Sequence, residues 1–104
     1  MASVLESAEK ELRRWAYEMM IDCLESYQGQ VKEAIEEFHQ GTHAFYRANE
    51  EYVPYWQGES REAYELVYGD LRQIGARIYA TADDLLHEIS REIARLRRKI
   101  EELQ

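Results

Sequence analysis

Apolar residues recur every three or four positions along almost the whole chain, the spacing of an α-helical face. In the first half one stripe runs Leu12, Ala16, Met19, Cys23, Tyr27, Ala34, Phe38, Gly41, Phe45 and Ala48. A second runs beside it through Tyr17, Met20, Leu24, Val31, Ile35 and Tyr46. Pro54 is the only proline; it lacks an amide hydrogen and turns Val53 away from helical angles. Gly58 supplies the freedom that a reversal needs. The pattern predicts a first helix over about 4–52, a turn over 53–58 and a second helix over about 59–102.

The second helix repeats the pattern. Its main stripe includes Leu71, Ile74, Leu85, Ile93 and Leu96, with Val67, Ile78, Ile89 and Ile100 each eleven apart. An eleven-residue repeat predicts a nearly straight or slightly right-handed seam. Tyr64, Tyr68, Gly75, Tyr79 and Leu86 form its second stripe. Folding the chain at residue 56 pairs positions whose numbers total 112, so Phe38 meets Ile74, Cys23 meets Ile89 and Leu12 meets Ile100. The main stripes then match along their length. The expected fold is all-α, one long antiparallel helix-turn-helix hairpin. Two apolar stripes per helix ask for two neighbours, so the hairpin is expected to dimerise into a four-helix bundle.

Composition narrows the function. A chain of 104 residues bounds one domain, and the formal charge of −8 argues against nucleic acid or an anionic membrane as partner. No apolar run reaches membrane-spanning length, and the N-terminal stretch lacks the basic and apolar regions of a Sec signal peptide. Cys23 is the lone cysteine, on the main stripe, and reads as a small buried hydrophobe. No nucleophile–base pair or phosphate-binding glycine loop stands out, so the expectation is a non-enzymatic protein without a cofactor. Arg91, Arg95, Arg97, Arg98 and Lys99 gather where cations complement a helix C-terminus, with Arg97 and Arg98 able to pair with Glu101 and Glu102.

The turn is unusually aromatic: Phe45, Tyr46, Tyr52, Tyr55, Trp56, Tyr64 and Tyr68 flank it. Trp56 is large enough to plug the open end between two helices. With Trp56-Gln57-Gly58 at the bend, about one hundred residues, two long helices and no Sec signal, the chain resembles the Trp-X-Gly family of early-secreted-antigen-like type VII secretion substrates of Gram-positive bacteria. Trp-Gln-Gly-Glu-Ser-Arg-Glu-Ala-Tyr resembles that family's entry into its second helix. Tyr79-Ala80-Thr81-Ala82-Asp83 fits its Tyr-X-X-X-Asp/Glu export motif. Two features depart from the family: the tripeptide comes later than usual, and Tyr79 and Asp83 lie well inside the second helix.

The resemblance implies a protein made in the cytoplasm and exported folded, as substrate or as co-secreted adaptor for a larger effector, engaging a membrane-anchored secretion ATPase. It implies a homodimer, or a heterodimer with a related small Trp-X-Gly protein. Trp56 and Gly58 are the implied turn and secretion residues, and Tyr79 and Asp83 the implied export signal. Two other readings stand beside it. Glu36-X-X-His39 and Asp84-X-X-His87 each place two metal-ligand types on one helix face, a pattern of metal-binding bundles that here requires a dimer. A generic coiled-coil interaction protein accounts for the stripes alone.

Overall fold

A computed structural model describes residues 2–55 and 58–104. Met1, Trp56 and Gln57 lie outside them, so the expected tryptophan plug does too. Helix α1 runs Ala2–Tyr52, a single 3₁₀ turn covers Val53–Tyr55, and helix α2 runs Glu59–Leu103. No strand occurs among the described residues. The protein is an all-α helical hairpin. Its α-helix stops two residues before Pro54, and the chain tightens into 3₁₀ geometry through it.

Gly58 opens α2. Its φ is +69°, in the left-handed region, and its carbonyl accepts hydrogen bonds from the amides of Arg61 at 3.1 Å and Glu62 at 3.2 Å. Glu59 and Glu62 place negative charge in the first turn, where it complements the macrodipole. A Cβ at position 58 would meet nothing within 4 Å, so the glycine is there for its backbone angle rather than for space. Gly58→Ala is expected to cost about 1–2 kcal/mol, the penalty of a left-handed L-residue. Gly41 also has open space around it but sits within α1, so Gly41→Ala should stabilise by roughly 1 kcal/mol. Urea unfolding followed by circular dichroism should move the two midpoints in opposite directions.

Contacts divide the chain into two units. The terminal unit comprises Met1–Val31 and Leu85–Gln104; the turn unit comprises Lys32–Asp84. In the terminal unit Ile21, Ile89, Ile93 and Leu96 form a buried cluster, with Tyr17, Leu24, Leu85 and Ile100 packed against it. Gln28 Nε2 donates to Ser90 Oγ at 3.2 Å, and Arg97 pairs with Glu25 at 3.1 Å. In the turn unit the Phe38 ring lies over Gly75, 3.8 Å from where a Cβ would stand. Tyr46 meets Tyr68 edge-on, their ring centres 5.2 Å apart.

This seam agrees with the main stripes only in part: Ala82, Leu85, Ile89, Ile93, Leu96 and Ile100 of α2 and Phe38 and Phe45 of α1 are buried or half-buried as expected, while several other members turn outward. On α2 four of the buried positions, Gly75, Ala82, Ile89 and Leu96, are seven apart, and Ile93 is buried one turn after Ile89. On α1 Arg14, Tyr17, Ile21, Leu24, Gln28, Val31, Ile35, Phe38, Thr42, Phe45 and Asn49 are half-buried or buried in alternating steps of three and four, a heptad, with Ala16 and Tyr46 half-buried beside it. Seven-residue spacing keeps a seam between two helices that coil gently about each other, whereas the eleven-residue stripe drifts across it. In the terminal unit α1's main stripe therefore points outward: Leu12 is 66% exposed and Met19 46%. Cys23 is exposed, not buried. In the turn unit α2's stripe is the outer one, with Val67 52% and Ile74 49% exposed. The pairing is displaced as well, since Phe38 packs on both Gly75 and Tyr79.

The basic run near the C-terminus also differs from expectation. Arg97 reaches across to Glu25, and the last turn of α2 contains no basic residue. Arg91 pairs with Glu88 and Lys99 with Glu102. Arg95 Nε donates to both carboxylate oxygens of Glu92, at 3.0 and 3.2 Å. That hydrogen bond, helped by the guanidinium charge, holds the Glu92 carboxyl below its ordinary value. All of these pairs are solvent-exposed, and exposed pairs contribute little to stability.

Candidate functional site

The residues implied in export fall at separate places. Gly58 caps α2 and Trp56 lies outside the described residues. Tyr79 and Asp83 follow one turn apart on α2, so they share a face. Twenty-one residues of helix separate Gly58 from Tyr79, about 32 Å at ~1.5 Å per residue. The turn and the export motif therefore do not make one compact site within a chain.

Tyr79 belongs to the contact between the two helices of the turn unit. Its hydroxyl lies 3.3 Å from His39 Nδ1, and its ring meets Phe38 in a T-shaped pair, centres 5.6 Å apart. It is nonetheless 39% exposed. It can thus brace the helix pair and still offer an edge to a partner. Asp83 is exposed on the next turn. The phenol–imidazole contact was not legible in the sequence, because the expected register set Glu33 opposite Tyr79 and Gln73 opposite His39.

The metal pattern does not assemble within the chain. Glu36 Oε1 accepts from Gln40 Nε2 at 3.4 Å, and His39 is engaged with Tyr79. Asp84 belongs to the turn unit and His87 to the terminal unit. No group of three or more His, Cys, Asp or Glu among the described residues is placed to hold a metal ion.

Two apolar grooves are present, one in each unit. In the terminal unit Met19, Met20, Cys23 and Leu24 of α1, with Glu92 and Leu96 of α2, line a groove of about 400 Å³. Leu5, Leu12 and Trp15 extend the apolar surface of α1 toward its start and are 67%, 66% and 59% exposed. Trp15 belongs to neither expected stripe; its signal is the heptad Leu5, Leu12, Met19 with Trp15 between the last two. In the turn unit Phe38, Gly41, Phe45, Leu71 and Ile74 border a groove of about 270 Å³. Contiguous apolar surface of this kind marks a place where another protein packs.

A third concavity of the turn unit is polar and aromatic. Tyr46, Tyr64 and Tyr68 surround it, together with Asn49, Glu50, Pro54, Arg61 and Glu65, in about 340 Å³. Burial first, then the neighbouring phenols of Tyr68 and Tyr46, push the Tyr64 hydroxyl above its ordinary value. Arg61 is tied to Glu65 at 3.3 Å.

No protein-family model matches the chain, and comparisons with curated proteins and with solved structures find no match either. No helix is long and apolar enough to cross a membrane among the described residues.

Proposed function

We propose that this chain is a small non-catalytic protein exported by a type VII secretion system, acting as substrate or co-secreted adaptor and engaging the secretion ATPase. One observation carries the reading: the sequence Trp56-Gln57-Gly58 stands between the two helices of the hairpin, with Gly58 held at φ +69° as the cap of the second helix. Tyr79 and Asp83, one turn apart and both reachable from solvent, supply the export signal.

The outer stripes suit a second copy, or a related small Trp-X-Gly protein, completing a four-helix bundle. Each unit leaves one helix with apolar surface outside: α1 in the terminal unit, α2 in the turn unit. In an antiparallel pair the terminal unit of one copy meets the turn unit of the other, and each exposed stripe finds its counterpart. Charge supports that orientation. The turn unit holds eleven acidic and five basic residues, while Arg91, Arg95, Arg97, Arg98 and Lys99 are concentrated in the terminal unit.

Export from a Gram-positive host with an active type VII system tests the reading. Secretion should stop when the host's secretion ATPase is deleted. Trp56→Ala should reduce it several-fold, and Asp83→Asn should do so with helix content unchanged by circular dichroism. Secretion that ignores the ATPase deletion overturns the proposal. It would favour a second reading, a coiled-coil interaction module without export, which the seven-residue spacing of the buried positions supports.

A further inference from the structure

We propose that the tyrosine-lined pocket of the turn unit is a recognition site for an arginine side chain of a partner polypeptide. This inference is independent of the export reading, and the pocket shares only Tyr46 with the apolar groove of the turn unit.

Three phenol rings meet at the pocket. Tyr46 and Tyr68 lie 5.2 Å apart at 61°, and Tyr64 and Tyr68 lie 6.0 Å apart at 42°. The rings are inclined to one another rather than stacked face to face, and aromatic faces attract cations. The chain already uses this attraction once, since the Arg72 guanidinium carbon sits 6.0 Å from the centre of the Tyr68 ring. The pocket's own arginine does not fill the site, because Arg61 is held along the helix by Glu65.

Charge selects the sign of the ligand. Glu50 and Glu65 outnumber Arg61 at the pocket, and among the described residues Glu50 has no ion-pair partner. The surrounding Lys32–Asp84 unit is net −6, so its field favours a cation over an anion. Shape and hydrogen bonding select arginine. A guanidinium is planar, weakly hydrated and stacks on aromatic rings while donating sideways to a carboxylate. Asn49 lines the same pocket with Nδ2 buried and unpartnered. Rotating that amide by half a turn brings its oxygen to the same place, an acceptor for a guanidinium N–H. A volume of about 340 Å³ lies at the small end of ligand pockets and suits one side chain.

The test is an NMR titration of the full chain with N-acetyl-arginine amide, with the neutral citrulline analogue alongside. The ring resonances of Tyr46, Tyr64 and Tyr68 should shift saturably, with half-saturation at about 1–10 mM, as befits one side chain without its polypeptide. Citrulline should bind at least about tenfold more weakly, and Glu50→Gln should weaken arginine about threefold or more. Glu50 is exposed, so its replacement should leave the fold intact, which circular dichroism verifies. No saturable shift by about 50 mM overturns the proposal. So does equal binding of citrulline, or unchanged arginine binding by folded Glu50→Gln.

Discussion

Leu96→Ala is expected to lower unfolding free energy by about 3 kcal/mol, within the roughly 2–5 kcal/mol span of buried leucine truncations. Leu96 is 1% exposed, the most deeply buried of the described side chains. It packs in the cluster with Ile21, Ile89 and Ile93, and few other side chains are buried. A hairpin with so thin a core has little else to hold it. The groove at Met19, Met20 and Cys23 borders Leu96, so a truncated site can partly collapse or admit water, which keeps the expected loss below the upper limit. Val67→Ala provides the contrast. Val67 is 52% exposed although it opens the eleven-residue series, and its loss should cost under about 1 kcal/mol. Urea unfolding by circular dichroism, repeated across protein concentrations, measures both. A larger effect at Val67 than at Leu96 would overturn the cluster of Ile21, Ile89, Ile93 and Leu96 as the core.

The hairpin itself was legible because its signals are local. Pro54 and Gly58 act through their own backbone angles, and the bends they impose do not depend on a distant partner. Which stripe faces inward was not legible, because two stripes compete on each helix. Of the seam positions seven apart on α1, Arg14, Gln28, Thr42 and Asn49 are polar, and only Ile21 and Ile35 are apolar. Those polar residues disguised the seam, while Leu12, Met19 and Cys23 made the outer stripe look like the core. Their polarity is accommodated by particular contacts that no periodicity announces. Gln28 reaches Ser90, and the Thr42 hydroxyl turns back to the His39 carbonyl. Arg14 Nε and Asn49 Nδ2 are buried without partners.

The candidate site was legible as motif and not as geometry. Tyr79 and Asp83 are spaced to share a face, and α2 presents them so. That the Tyr79 hydroxyl approaches His39 depends on a small displacement in helix pairing, which a count of apolar positions does not resolve. The tyrosine pocket needed the same information. Tyr46, Tyr64 and Tyr68 were all visible as an aromatic excess near the turn, but only the heptad seam brings α1's Tyr46 beside α2's Tyr68. The displaced seam also explains the outer stripes: residues that would have formed the core of a hairpin paired on its main stripes are left outside.

Replacing Leu12 and Met19 together by glutamate is expected to convert the protein from dimer to monomer while its helices remain. Both residues are on α1's outer stripe, 66% and 46% exposed, so neither change removes a buried contact of the hairpin. The exposed apolar side chains of α1 in the terminal unit, Leu5 through Met20, and of α2 in the turn unit, Leu66 through Ile74, are the apolar surface that a second copy would cover. Covering it drives association at roughly 25 cal/mol per Å², offset by the entropy of joining two chains. An unpaired carboxylate in such an interface costs several kcal/mol, and every ~1.4 kcal/mol is tenfold in affinity. Two carboxylates should therefore weaken association at least about a thousandfold. Light scattering at about 100 µM should give twice the 12.4 kDa chain mass for the native sequence and one chain mass for the double variant. Circular dichroism should report equal helix content for the variant at that concentration. A monomeric native protein at about 100 µM overturns the homodimer, and a double variant that stays dimeric moves the interface away from α1's outer stripe.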